Sequence, residues 1–194
     1  KSPLIRYPQS KADTSFAVPE GVTQIGDSST QSAFFGASNL TSVSIPASVR
    51  TIGAAAFYNC NALTNIDFLA AKDGNNFDLS IGEDAFGYSG LTSIVIPARV
   101  AAVGGLSRGT FRNNTSLTSV TFEKGSRITS IPTEAFNFCT ALKSIHLPAT
   151  VTEIERNAFI YCKSLAAVTI EEGGEILKIG NTAFKGTKLS VTNI

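Results

Sequence analysis

The chain has 194 residues, of which 43% are hydrophobic and 16% charged, and this composition supplies a buried interior and excludes a disordered protein. The formal net charge is only +1, so we expect neither a nucleic-acid partner nor attraction to an acidic membrane surface. No apolar run approaches the ~20 residues that a membrane span requires, and we expect no membrane insertion. The sequence begins at Lys1 and contains no methionine, which suggests a mature or trimmed product.

Residues 1–15 differ from the rest of the chain. They are polar, contain Pro3 and Pro8 and show no periodicity. We interpret them as a linker or as part of an N-terminal cap. Residues 16–194 are predicted to form a single repeat domain, since the pattern described next runs through them without a change of composition.

Two columns of apolar residues repeat along this domain. Successive members of the Phe column are 23, 29, 25, 25, 23 and 25 residues apart, and a Leu follows each of them. The Phe column consists of Phe34, Phe57, Phe86, Phe111, Phe136, Phe159 and Phe184, and the Leu column of Leu40, Leu63, Leu91, Leu117, Leu142, Leu165 and Leu189. Two columns with one period predict a solenoid of about seven repeats of 23–29 residues, in which each repeat is stable only against its neighbours.

Within a repeat, the segment that starts at the Leu alternates apolar and polar residues, as in LTSVSI (40–45) and LKSIHL (142–147). This alternation predicts one strand per repeat, and Pro46, Pro97 and Pro148 end the strands that they follow. Strands from successive repeats should form a parallel sheet on one face of the solenoid. A shorter extended piece and then one turn of α- or 3₁₀-helix at AFxxC are expected on the other face.

The repeats are interrupted by insertions. The longest is LAAKDGNNFDLS, at residues 69–80, and we expect it to form an exposed loop. Its polar residues lack the spacing and the closing glutamate of a calcium-binding loop.

The consensus LxxIxIPxxVxxIGxxAFxxCxxL resembles the BspA-like, or Treponema-type, leucine-rich repeats of bacterial and protozoan surface proteins. The run IGAAAFYNC (52–60) carries this pattern intact, and the resemblance extends from Phe16 to Leu189. It implies a leucine-rich repeat solenoid in the form of a curved right-handed superhelix, located at the cell surface or secreted. It also implies a role in adhesion to host matrix or to other cells.

The cysteines Cys60, Cys139 and Cys162 share one column, whose other members are small: Ala37, Ser89, Asn114 and Thr187. We interpret the column as buried packing, with a disulfide between Cys139 and Cys162 as the alternative. The single histidine, His146, belongs to a strand, so a metal would lack further thiolate or imidazole ligands. We therefore expect no metal and no cofactor.

The outward-pointing strand residues are the candidate partner-binding positions on the concave face. They are Ser44, Asn65, Asp67, Val95, Thr121, His146 and Thr169. Together they are small, polar and nearly uncharged, which fits a broad, shallow contact with a protein or glycan on a host or neighbouring cell surface.

No combination of nucleophile, base and orienting residue is visible in the sequence, so we expect a non-enzymatic protein. The leading hypothesis is a binding or adhesion module, acting as a monomer. The alternative is a rigid spacer within a larger surface protein.

Overall fold

A computed structural model describes residue 7 and residues 12–26, 33–71, 74 and 77–190. One set of strands has three or four residues: β1 (Ser15–Ala17), β3 (Ser42–Ile45), β5 (Asn65–Phe68), β7 (Ser93–Ile96), β8 (Ser119–Phe122), β10 (Ser144–Leu147) and β12 (Ala167–Ile170). A second set has two residues each: β2 (Gln24–Ile25), β4 (Thr51–Ile52), β6 (Ser80–Ile81), β9 (Ser130–Ile131), β11 (Glu153–Ile154) and β13 (Lys178–Ile179). The predicted strands are therefore confirmed, and so is the shorter extended piece, except between β7 and β8, where only the isolated bridges Leu79–Val100 and Ile81–Leu106 take its place.

All of these strand pairs are parallel, and each pairs with its counterpart in the neighbouring repeat. The longer strands form the ladders β1-β3-β5, β7-β8 and β10-β12, and the short strands form β2-β4-β6 and β9-β11-β13. The sheet is thus a series of short ladders, with breaks between β5 and β7 and between β8 and β10. The strands on either side of each break still lie beside one another.

The core lies between the two sets of strands and is continuous along the solenoid. In β3, Val43 and Ile45 are buried while Ser42 and Ser44 are partly exposed, and the same alternation recurs in β7 and β10. The leucines Leu40, Leu63 and Leu91 of the Leu column are fully buried. The alternation read from the sequence therefore fixes which face of each strand enters the core.

The Phe column forms a continuous stack through this core. Rings of consecutive members lie 4.6 Å apart for Phe34 and Phe57, and 5.3 Å apart for Phe136 and Phe159, with interplanar angles of 11° and 6°. Members from Phe34 to Phe159 are at most 1% exposed. Backbone hydrogen bonds accompany the stack, since the Phe136 N–H donates to the Ala158 carbonyl oxygen at 2.8 Å.

The corner that carries each Phe is not helical, which differs from the expected turn of α- or 3₁₀-helix. The corner around Phe57 has left-handed residues on both sides, Ala55 at φ 51° and Asn59 at φ 60°. Bonds from Tyr58 N–H to the Ala55 carbonyl and from Cys60 N–H to the Phe57 carbonyl close successive turns. A left-handed residue every four positions prevents helix propagation. No helix occurs in the described residues, so none of them forms a helix able to span a membrane.

Tyr7 covers the first member of the Phe column. Its ring lies 5.0 Å from the Phe34 ring and 5.2 Å from the Phe16 ring, and its N–H donates to the Ala33 carbonyl oxygen at 2.6 Å. The other residues of 1–11 lie outside the described part of the chain. The boundary between a linker or partial cap at 1–15 and the repeat domain stays a prediction.

Replacing Phe136 by Ala should lower the free energy of unfolding by about 3–5 kcal/mol, because the change opens a cavity in the middle of the ring stack. Urea denaturation measures this difference. The matched control is Val103→Ala, at a side chain that is 86% exposed, which should change stability by less than about 0.5 kcal/mol. Equal effects of the two substitutions would contradict the assigned role of the Phe column.

Candidate binding face

The strand face is the outward row of the longer strands, with Ser44, Asn65, Asp67, Val95, Thr121, His146 and Thr169 as its predicted binding positions. The parallel register brings them together in pairs: Ser44 opposite Asp67, Val95 opposite Thr121, and His146 opposite Thr169. All are exposed except Ser44, which is partly buried. The structure therefore collects these residues on one surface, and their role in binding stays a prediction.

Chemically, the strand face offers short polar side chains with little charge. His146 Nδ1 lies 2.8 Å from the Thr169 hydroxyl oxygen, so the imidazole is oriented along the row. Val95 contributes an exposed apolar side chain beside Thr121. Such a surface can donate and accept hydrogen bonds over a wide area.

Threonines just before the longer strands use their hydroxyls in hydrogen bonds to the backbone of the preceding turn. The Thr41 hydroxyl donates to the Thr14 carbonyl oxygen at 2.8 Å, and the Thr118 hydroxyl donates to the Thr92 carbonyl oxygen at 3.0 Å. The Thr64 hydroxyl makes the same bond to Thr41 at 3.3 Å. These hydroxyls satisfy carbonyl groups where the ladder begins, which explains the recurring LTS sequence without a ligand.

The described parts of the 69–80 insertion are fixed to the solenoid by arginines. The Arg50 guanidinium carbon lies 3.7 Å from the centre of the Phe77 ring, and Arg127 forms a 2.5 Å ion pair with Asp78. Residues 72, 73, 75 and 76 of the predicted exposed loop lie outside the described residues. Leu69 and Phe77 are exposed, so the insertion adds apolar surface next to β5.

Arg99 is buried at the base of the insertion. It lines a groove of about 370 Å³ together with Phe68 and Arg127, and its Nη1 donates to the Val49 carbonyl oxygen at 2.7 Å. Burial lowers the pKa of Arg99, while the Glu123 carboxylate opposes that shift. This burial could not be predicted from the sequence, because the equivalent positions Ser48 and Thr150 hold short side chains.

The cysteine column is buried and free of disulfides, so the alternative Cys139–Cys162 bridge is absent. Each thiol instead donates to the carbonyl oxygen of a Phe in the preceding turn. The distances are 2.9 Å from Cys60 to Phe34, 3.2 Å from Cys139 to Phe111 and 3.0 Å from Cys162 to Phe136. The column is therefore a set of small donors that satisfy the corners of the Phe stack.

A family model described as the BspA type leucine-rich repeat region matches six copies over residues 9–77 and 79–194. The chain belongs to this family. The six copies are one fewer than the seven repeats predicted from the Phe column. Leucine-rich repeat proteins are generally non-enzymatic binding modules, and the comparison identifies no catalytic family.

Solved structures of bacterial proteins share this BspA-type fold. The pneumococcal vaccine antigen PcpA is 23% identical with a TM-score of 0.68, and the match covers 87% of this chain and 43% of PcpA. A leucine-rich cell surface protein of Faecalibacterium prausnitzii is 24% identical with a TM-score of 0.52, covering 91% and 59%. A leucine-rich repeat protein of T. pallidum is 22% identical with a TM-score of 0.59, covering 97% and 82%.

At these identities the likeness shows the fold alone. The chain spans less than half of PcpA and 59% of the F. prausnitzii chain. A comparison with curated proteins gives no match.

Three repeats carry an aromatic ring two residues after the Phe column that the sequence reasoning missed: Tyr88 and Phe138 are exposed and Tyr161 is half-buried. Tyr88, Phe138 and Tyr161 have φ values of 55°, 58° and 58°, in the left-handed region that bulky side chains rarely adopt. Gly36 and Asn113 occupy the same position in other repeats. The two-residue offset of Tyr88, Phe138 and Tyr161 from the Phe column was visible in the sequence, but their left-handed backbone conformation was not.

In the native protein the three thiols should not react with a thiol reagent at pH 8. Burial raises the pKa of the Cys60 and Cys162 thiols to about 12 and raises that of Cys139 as well, so the reactive thiolate is scarce and shielded. Addition of 8 M urea should expose all three cysteines to labelling, counted by mass spectrometry. Rapid labelling before denaturation would contradict the described burial.

The same thiols should make the folded state less stable at alkaline pH. Because the folded pKa is about 12 for Cys60 and Cys162 and the unfolded value is about 8.5, their contribution is complete below pH ~8.5 and is lost toward pH ~12. We expect a loss of about 2 kcal/mol per thiol between pH 7 and pH 10, measured by urea denaturation. The variant Cys60→Ala/Cys162→Ala should show a shallower dependence, since Ala37 fills the same column.

Proposed function

We propose that the protein is a binding or adhesion module that acts outside the cell and engages a protein or glycan partner through the strand face. The observation that carries this proposal is the composition of that face: polar, exposed side chains in register over successive turns, which the packing of the core does not require. Membership of the BspA-type family supports an extracellular location, and one structural neighbour is named a cell surface protein and another a vaccine antigen.

The geometry favours an extended partner over a small molecule. The outward positions repeat from strand to strand at the ~4.8 Å spacing of a parallel ladder, so a partner lying along the solenoid meets one side chain per turn. None of the seven predicted positions is a Trp, Tyr or Arg of the kind that dominates a tight interface, so affinity must come from the number of weak contacts. The exposed apolar residues Leu69 and Phe77 of the insertion extend this surface beyond the strands.

Arginine substitutions at Asp67, Thr121 and His146 should weaken this binding. The three side chains are exposed, so bulky cations at these positions obstruct the face without disturbing the core. Binding would be measured against immobilised matrix proteins, mucins and glycans, and the triple variant should bind at least about tenfold more weakly than the wild type, a loss of ~1.4 kcal/mol. The melting temperature of the variant should stay close to that of the wild type.

The matched control carries Ala54→Arg, Val103→Arg and Glu175→Arg. These residues are exposed and lie off the strand face, and both triple variants replace one carboxylate and two uncharged side chains. The control should retain binding. Equal losses in both variants would show a non-specific effect of charge, and no binding by the wild type to any partner would favour the spacer.

A further inference from the structure

One corner of the solenoid is shorter than its neighbours. From Phe86 to Leu91 the chain advances five residues, whereas it advances six from Phe57 to Leu63 and six from Phe111 to Leu117. The missing residue leaves a gap between the corners of the turns before and after it. The gap is a shallow cavity of about 340 Å³ on the corner side of the solenoid, away from the strand face.

Gly90 allows this short corner to form. A Cβ atom at Gly90 would lie 2.2 Å from the Asn61 carbonyl oxygen, so any side chain there would collide with the preceding turn. Because Gly90 adds no side chain, the walls come from the neighbouring turns. They are Asn61 on one side and Asn113, Thr115 and Ser116 on the other, with the Tyr88 ring at the edge.

The floor of the cavity is Ser89, and the buried Asn114 behind it holds Ser89 in a hydrogen-bond network. The Asn114 amide donates to the carbonyl oxygens of Phe86 and Phe111, at 2.7 and 2.8 Å. The Ser89 hydroxyl lies 2.8 Å from both the Phe86 carbonyl oxygen and Asn114 Oδ1. Both residues are buried, so the floor is rigid and its polar groups are already satisfied.

The walls are different, because their polar groups are available. Within the described part of the chain, the side-chain amides of Asn61 and Asn113 and the hydroxyls of Thr115 and Ser116 make no hydrogen bond. None of the four carries a charge. The cavity therefore presents amide and hydroxyl groups, able both to donate and to accept, around a preformed hollow.

Tyr88 is placed at this edge at a conformational cost. Its φ of 55° is left-handed, and Asn59 and Asn113, which tolerate that conformation, occupy the same position in the adjacent repeats. The Tyr88 ring is 40% exposed, so burial does not explain it. The ring is held by a 5.2 Å contact with Tyr58 and by Arg112, whose guanidinium carbon is 5.8 Å from it.

Arg112 does not make the cavity cationic. Its Nη2 forms a 2.7 Å ion pair with Asp84, which offsets its charge. The lining of the cavity is neutral throughout. An exposed aromatic ring beside a hollow whose amide and hydroxyl groups are not used by the fold offers a ligand both an apolar contact and hydrogen-bond partners.

We propose that this cavity binds a neutral sugar residue of a glycan. The apolar face of a pyranose ring packs against Tyr88, while its hydroxyl groups exchange hydrogen bonds with Asn61, Asn113 and Ser116. The absence of a cation in the lining selects neutral sugars over sugars that carry a carboxylate. This site is independent of the strand face.

Titration of the isotope-labelled protein with a panel of saccharides, followed by NMR, tests this assignment. The neutral probes are galactose, mannose, N-acetylglucosamine and lactose, and the acidic probes are glucuronic acid and N-acetylneuraminic acid. We expect at least one neutral saccharide to shift resonances of the cavity residues, and the acidic sugars to bind more weakly.

The decisive variant is Tyr88→Asn, which should weaken sugar binding by about tenfold or more, because it removes the aromatic contact. Since Asn fits the left-handed position, its melting temperature should equal or exceed that of the wild type. Ser116→Trp, which fills the cavity from an exposed position, should have the same effect on binding. The matched control Tyr161→Asn makes the same chemical change at the equivalent position of another repeat and should keep binding within about twofold.

Several results would overturn the assignment: no shift with any neutral saccharide, binding that survives in both cavity variants, or equal loss in the Tyr161→Asn control. The strand-face triple variant should bind the sugar like the wild type. If it loses the immobilised partner but keeps the sugar, the two sites are separate. Loss of both would contradict the cavity site while leaving the strand face as the binding surface.

Discussion

Everything else in this structure depends on the stacking of one turn on the next. The aromatic rings of the Phe column lie 4.6–5.6 Å apart, and the backbone hydrogen bonds of the parallel strands span the same step between turns. A single repeat could not exclude water from its own Phe, so each turn is stable only when a neighbour covers it. This requirement keeps the residues of the cysteine column small, and the three cysteines also donate to the Phe carbonyl oxygen of the preceding turn.

Stacking constrains the inside of each turn and leaves the outside free to vary. The outward row of the strands, the insertion at 69–80 and the shortened corner at Gly90 all lie where the stack tolerates change. These are the places from which recognition can arise without loss of the fold. The strand face supplies a broad polar surface, and the corner cavity supplies a small, shallow one. Both are formed by changes that leave the Phe and Leu columns in place.

The periodic part of the molecule could be predicted from the sequence, because the side chains of Phe136, Leu142 and Ile145 are dictated by burial. The strand face followed from the same alternation, so the positions of Asp67 and His146 could be placed on it. The left-handed conformation of Tyr88 and Phe138 could not be predicted, because bulky side chains disfavour positive φ and the neighbouring turns impose it. Arg99 is buried in the groove beside the 69–80 insertion, which lies about 20 residues earlier in the sequence. The corner cavity is formed by residues of three successive turns. Neither feature can be read from a local segment of the chain.

The hydrogen bonds between turns also determine how the molecule responds to force. They run along the solenoid axis, so tension applied along that axis loads one interface at a time and each detached turn releases a length of about 80–100 Å. Most bonds join adjacent repeats, but the Arg99 bond to Val49 joins residues 50 positions apart and crosses the turn that carries the insertion. The Arg99 side chain therefore links the two interfaces on either side of the insertion-bearing turn, and separating the turns at either interface breaks this hydrogen bond.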